Sequence, residues 1–359
     1  MKDLRALALA IGSLVLAIPS ISGQTDPRST FTVGTATASR GQQANGVIHV
    51  PPGSDPGYDI PVSVIHGARP GPVLAVVSGA HGTEYASILA VEMLIGADPR
   101  PAIDPTTLSG TMILVPLVNV ASFDRLTPHV NPVDNKSMNR FYPGSASGTQ
   151  TDRASLAMTK EVVEKCDHLI DLHGGDLDEN LRPYSYWTVT GNQKQDEISK
   201  AMALAFGLDH IIISADRPKD PNASRYLENT ASTRGKPSIT AEAGRSGPVD
   251  ANDPAVLIAG VRGVMAYLKM IPTNAKPVAK PIWIEKIVTV AAETDGVFYP
   301  TVSRDAHVEA GQRIGLVRDH YFKTLADVKA PEAGTIMFVR ALPSLKKGDT
   351  IASVGVARK

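Results

Sequence analysis

The stretch "VLAVVSGAHGTEYASILAVEMLI" (residues 73–95) decides how this chain is read. Val73 to Val77 are uninterrupted apolar residues with the length and valine content of a buried strand. Ser78 and Gly79 mark a turn, and from about Glu84 to Ile95 the spacing of apolar residues becomes helical. A strand apolar on both faces that turns tightly into a helix opens an α/β unit rather than an antiparallel sheet with one wet face. His81 and Glu84 lie in the turn itself. Two side chains three residues apart at such a turn can face one point. A surface ion pair is the plain reading; a shared metal ion is the sharper one.

The same alternation continues outward from this segment. "TMILVPLV" (111–118), "HLIDL" (168–172), "HIIIS" (210–214) and "SITAEAG" (238–244) read as strands. Residues 154–166, 196–207 and 254–270 read as helices. The fold expected is α/β, a mostly parallel sheet flanked by helices on both faces, with ligands beyond the carboxyl ends of the strands. Helical periodicity stops at "IPTNAKPVAKP" (271–281), and only short strands separated by turn residues follow. The organisation expected is a catalytic α/β domain over 24–274 and a small C-terminal all-β domain over 282–359.

Composition narrows the function. The 359 residues are 43% hydrophobic, enough for a large core. Thirty-six basic residues balance 36 acidic ones, without a basic cluster to hold nucleic acid or an anionic membrane. The first segment has Lys2 and Arg5 ahead of an apolar run from Ala6 to Ile18, then Pro19 and small residues to Gly23. That is the build of a signal peptide over 1–23, so the mature protein is expected to be exported, periplasmic or secreted, with no membrane segment of its own. Cys166 is the single cysteine, which rules out an intramolecular disulfide and reads as a small buried hydrophobe.

Three features fall at the ends of expected strands: "SGAHGTE", "IDLHGGD" and "ITAEAG". They supply His81 and Glu84, then His173, then Glu242. Two imidazoles and a carboxylate form a recurrent catalytic zinc set that leaves a position open for water. Such a water still needs a base to take its proton and an acid to protonate the leaving amine, and Glu242 can do both. The alternative for Glu242 is a salt bridge to Arg245. Asp171, two residues before His173, points the same way along a strand and suits an orienting partner or a structural hydrogen bond. Asp176 and Glu179 are candidates for the pocket wall.

Between the first two features runs a long, polar, turn-rich loop (119–144). Asn139 and Arg140 are candidates for holding a substrate carboxylate, the arginine through its bidentate fork. Arg125 is a candidate for polarising a scissile carbonyl.

"GAHGTE", "MNRFYPG", "LIDLHGGD" and "ITAEAG", in that order, resemble the succinylglutamate desuccinylase/aspartoacylase family within the zinc carboxypeptidase superfamily. The resemblance runs from about His66 to the C-terminus. It implies an eight-stranded mixed sheet between helices, one Zn²⁺ per chain, and hydrolysis of the amide of an N-acyl amino acid or similar small carboxylate. It makes His81, Glu84 and His173 the zinc ligands, Glu242 the general base and acid, and Asn139 with Arg140 the carboxylate holders. The tail resembles the family's β-rich C-terminal domain, expected to be a rim or an assembly surface that suits a homo-oligomer. Ser137 stands where many relatives carry an acidic residue, and Arg125 stands one position before their arginine. Two other functions fit the same residues: an exported metallocarboxypeptidase acting on short or cell-wall peptides, and a binding protein that keeps the zinc pocket without turnover.

Overall fold

The computed structural model describes residues 28–97, 100–247, 249–250 and 252–358. The expected signal peptide lies outside the described residues. The strand Arg69–Val77 shows why residues 73–77 are apolar without a break. Val73, Ala75 and Val77 enter one core, with Met158, Val162 and Leu227, while Leu74 and Val76 enter the opposite core, with Val91, Met202 and Val264. Both faces are covered, as a central strand of an α/β sheet requires. The helices Tyr85–Ile95, Gln193–Phe206 and Asn252–Tyr267 close the second face, and Gln150–Met158 with Leu227–Ser232 closes the first.

The main sheet among the described residues is 13-stranded. From one edge it runs Gln42–Val50, Tyr58–His66, Ser109–Val115, Arg69–Val77, His168–His173, Ser238–Glu242, Tyr184–Thr188 and His210–Ser214. Ser109–Val115, Arg69–Val77, His168–His173 and Ser238–Glu242 pair in parallel, and this parallel set holds all three candidate strand ends. Tyr184–Thr188 and Tyr58–His66 each join it antiparallel. The sheet is therefore mixed, as the family resemblance implies, and not mostly parallel as the apolar strands alone suggest. Direction was hidden in the sequence because a strand covered on both faces has the same composition whichever way it runs.

The C-terminal strands do form an all-β region, with a four-stranded sheet and a core around Phe298, Val317, Ile336 and Val354. They also continue the main sheet. Ile282–Ala291 pairs in parallel with His210–Ser214, then Thr350–Ala357 and Gly334–Arg340 follow, and Glu179–Leu181 returns to pair with Gly334–Arg340. Leu181, Tyr184, Ile284 and Phe338 share a small core across this join. Among the described residues no helix is long and apolar enough to cross a membrane.

Candidate metal centre

Arg69–Val77, His168–His173 and Ser238–Glu242 are neighbours in the sheet, so their carboxyl ends open side by side. After the first, Gly79 takes φ +69° against Leu117, a left-handed turn in which a Cβ would lie 2.8 Å from the Leu117 Cα. The turn delivers His81 and Glu84 to the mouth of the second strand, which ends on His173. Gly174 follows, and any Cβ there would meet the Ala243 carbonyl oxygen at 2.5 Å. Without one, the Gly174 N–H comes close enough to donate to Glu84 Oε2 at 3.1 Å.

The three side chains converge on the Glu84 carboxylate. His81 Nδ1 lies 2.6 Å from Oε1 and His173 Nδ1 lies 2.9 Å from Oε2. One donor atom from each of the three lies within 4.8 Å of the others, as ligands to a common cation must. The outer nitrogens are held as well: His81 Nε2 meets Ser137 Oγ at 3.2 Å, and His173 Nε2 faces Asn139 Nδ2 at 3.0 Å and Asp171 Oδ1 at 3.4 Å. Asp171 is buried, and neither carboxylate oxygen has a hydrogen-bond partner among the described residues. Asn139 Nδ2 can only donate, so His173 Nε2 accepts at that contact and the ring proton faces Glu84 from Nδ1. Burial opposes the Glu84 charge, but His173 and then His81 hold its carboxyl below the usual carboxylate range. Burial likewise opposes a charged His173, and Glu84 and Asp171 push that imidazole well above its ordinary value. Two nitrogens, one carboxylate and outer partners fit a zinc-type ion.

Glu242 ends its strand directly opposite His173 on one side and Tyr184 on the other. Its Oε2 accepts a hydrogen bond from Tyr184 Oη at 2.9 Å, and burial pushes the carboxyl up to about 7. Arg245 pairs with Asp250 and not with Glu242. Glu242, His81, Glu84 and His173 line one cavity of about 1240 Å³.

The loop expectations divide. Asp134 accepts from Thr149 Oγ1 at 2.7 Å and from Thr151 N–H at 2.8 Å, which fixes the loop that carries Ser137, Asn139 and Arg140 to the cavity. Arg140 is exposed there, its guanidinium 4.8 Å from the Tyr226 ring. Asn139 is buried, with Oδ1 accepting the Leu227 N–H at 2.9 Å and Nδ2 on His173, so its amide positions the site and is not spare for a substrate. Arg125, expected to polarise a scissile carbonyl, lies outside the cavity lining. It caps the short helix Val120–Asp124, is exposed, and takes no place in the cavity wall. The chain reverses at Leu126 (φ 52°) and His129 (φ 63°), and it is His129 that reaches the cavity. Asp178 at 2.8 Å and Asp176 at 3.3 Å hold both ring nitrogens. Burial opposes the His129 charge, yet these aspartates push the imidazole up to about 9. Glu179 also lines the cavity, pushed up to about 8 by burial and by Glu84, while Asp176 is buried beneath it. Tyr184 and His129 carried no sequence signal, since each reaches the site from a segment whose course depends on packing elsewhere.

The α/β sheet brings a two-histidine, one-carboxylate cluster to adjacent strand ends, an arrangement able to hold a metal ion. Residues 70–268 match the family model of the succinylglutamate desuccinylase/aspartoacylase catalytic domain, and the chain belongs to that family. It is 25% identical over 301 residues to the N-alpha-acetyl-L-2,4-diaminobutyric acid deacetylase of Halomonas elongata, covering 82% of this chain and 85% of that one. Among solved structures, a succinylglutamate desuccinylase/aspartoacylase from Rhodobacter sphaeroides superposes with a TM-score of 0.76 at 21% identity, covering 88% of this chain and 96% of that one. The product-bound ectoine utilization protein EutE (DoeB) from Ruegeria pomeroyi gives 0.76 at 22% identity, covering 88% and 95%.

Proposed function

We propose that this chain is a zinc-dependent hydrolase that removes the acyl group from an N-acyl amino acid. The observation that carries the reading is Glu242 standing beside the His81, Glu84 and His173 cluster in one cavity. His81, Glu84 and His173 would hold the ion. When bound, the ion supplies a positive charge that acidifies a neighbouring water and polarises an acyl carbonyl.

The chain's own residues do the rest. Glu242, with its carboxyl pushed up to about 7, takes a proton from the attacking water and returns it to the leaving nitrogen. Tyr184 holds the second carboxylate oxygen, so Glu242 keeps one orientation through both transfers. Asn139 steadies His173 by donating to its Nε2, and Ser137 steadies His81. Arg140 presents its guanidinium to a substrate carboxylate. His129, held between Asp176 and Asp178, lines the cavity from the loop on which Arg125 was expected to act.

A cavity of about 1240 Å³ also accommodates more than a small acyl amino acid, which favours short peptides as a second reading. The composition of residues 1–23 supports export of the mature chain; N-terminal sequencing of protein recovered from an export-competent host checks it. The deciding experiment is metal analysis of the purified protein followed by a hydrolysis screen over N-acyl amino acids and short peptides. One zinc per chain with release of free amino acid from the former is expected. A protein that binds zinc and cleaves nothing in the screen overturns the hydrolase reading in favour of a binding protein.

A further inference from the structure

The C-terminal region carries a patch that the fold leaves uncovered. The strands Arg313–Arg318 and Thr324–Lys329 form a hairpin in the four-stranded sheet, with Gly296–Pro300 beside the first of them. Ile314, Val317 and Val328 of the hairpin enter the core. The tip and the strands next to it expose Tyr299, Tyr321, Phe322 and Leu325. Tyr321 is 92% exposed and Phe322 64%, so neither ring serves a core. Single exposed apolar residues are ordinary, but four gathered on one hairpin and its neighbour form a patch that calls for a partner.

The turn that presents the rings is fixed by its own hydrogen bonds. Asp319 Oδ1 accepts from the Tyr321 and Lys323 N–H groups, each at 2.9 Å, and the Asp319 N–H donates to the Lys323 carbonyl at 2.9 Å. This geometry puts Phe322 at φ 71°, in the left-handed region where glycine or asparagine is relaxed and a bulky side chain is not. The ring gains no burial in exchange; its centroid lies 3.7 Å from the Arg318 guanidinium carbon and 5.7 Å from the Tyr299 ring. The cations here are unanswered. Arg313 pairs with Asp327 lower on the hairpin, and the Asp319 carboxylate is engaged by the turn. Arg318 and Lys323 form no ion pair among the described residues, and Arg318 Nε is buried without a hydrogen-bond partner.

We propose that this hairpin tip seats the protein on an anionic lipid surface, with Tyr321 and Phe322 among the headgroups and Arg318 and Lys323 on lipid phosphates. A projecting turn with rings at its apex and cations behind them suits a broad, flat partner rather than a groove. The Tyr299 and Phe322 rings stand at 84° to one another, so they make no common flat platform for a sugar. A lipid–water interface accepts each feature: aromatic rings settle at headgroup depth, and arginine and lysine bury their stems while their charges meet phosphate. Two cations alone are too few to hold a membrane, in keeping with a sequence that has no basic cluster; the rings supply the remainder.

Co-sedimentation with vesicles tests this, using protein recovered from an export-competent host so that any contribution of residues 1–23 is common to every variant. Vesicles of equal parts phosphatidylglycerol and phosphatidylcholine should bind roughly 10-fold tighter at low salt than phosphatidylcholine alone. Tyr321→Ser with Phe322→Asn, which suits the left-handed turn, should weaken binding to the mixed vesicles by about 10-fold or more. Arg318→Gln with Lys323→Gln should remove the preference for the anionic lipid. Zinc content and far-ultraviolet circular dichroism should match the unaltered chain in both double variants. Tyr321→Trp puts a reporter at the apex: brominated lipid should quench it, and should leave Trp187 and Trp283 of the unaltered chain unquenched. No binding to either vesicle, or equal binding by the unaltered chain and the Tyr321→Ser, Phe322→Asn variant with no quenching in Tyr321→Trp, overturns the proposal. So does sedimentation velocity without lipid that shows a dimer for the unaltered chain and a monomer for that double variant, since the tip would then join two copies.

Discussion

The half-buried Glu242 and the buried Glu228 both have carboxyls pushed up to about 7, yet they differ in what surrounds them. Glu242 faces His173 and accepts from Tyr184, a setting for proton transfer. Glu242→Gln should keep one zinc per chain and lower turnover by about 10²- to 10⁴-fold; comparable activity in that variant would remove the general base from the mechanism. His81→Ala or Glu84→Gln should instead lose the metal itself, read by metal analysis after dialysis, because two of three ligands cannot hold what three do. Glu228 sits away from the donor cluster, accepting from Ser238 Oγ at 3.1 Å with its other oxygen unpartnered among the described residues. Its folded value of about 7 is above the ordinary 4.5, so between these values the folded chain keeps a proton that the unfolded chain has released. Stability is thus undiminished below pH 4.5 and is lost as pH rises through 7. Glu228→Gln should raise the unfolding free energy by about 3 kcal/mol at pH 8 and hardly at all at pH 4.5. Urea titrations at the two pH values check this; an equal gain at both would contradict it.

At the scale of elements, the site is a property of strand ends rather than of any one loop. Gly174 lets the His173 strand and the chain after Glu242 approach until the Ala243 carbonyl fills the place of a Cβ. Gly174→Ala must push these two ends apart, since the obstacle is backbone. It should cost roughly 1–3 kcal/mol of stability and weaken zinc binding together. A variant that melts lower but binds zinc as before would show that the approach matters for folding alone. The strand and turn at 73–84 were legible because every signal in them is local: an apolar run, a turn glycine, then helical spacing. The loop 119–144 was legible only as a loop. Whether Arg125 or His129 faces the cavity depends on backbone reversals at Leu126 and His129 and on anchors as distant as Asp178.

At the scale of the whole molecule, the C-terminal region is bonded to the catalytic sheet rather than appended to it. Ile282–Ala291 covers the edge that His210–Ser214 would otherwise expose, and Arg340 joins Asp178 of the metal-centre loop to Asp349 of the tail. A chain ending at residue 275 should aggregate on expression, because it bares an apolar strand edge and half of the core around Leu181 and Ile284. A soluble, monodisperse truncation would show that the edge is tolerated. Arg340→Ala is the milder test: it leaves Asp178 to His129 alone, and should lower kcat/KM by up to about 10-fold through a loosened cavity wall, with zinc content unchanged.

The sequence by itself determined the chemistry on offer: which residues can ligate, which carboxyl is spare, and the strand ends from which they come. Those are local facts, carried by residue type and by spacings of a few residues. Only the tertiary structure decided that the three ends are neighbours, that Tyr184 steadies Glu242, that Asn139 is occupied, and that His129 enters the cavity while Arg125 does not. Register between strands and the path of a long loop are set by packing among residues far apart in the chain, and no stretch of sequence contains that information alone.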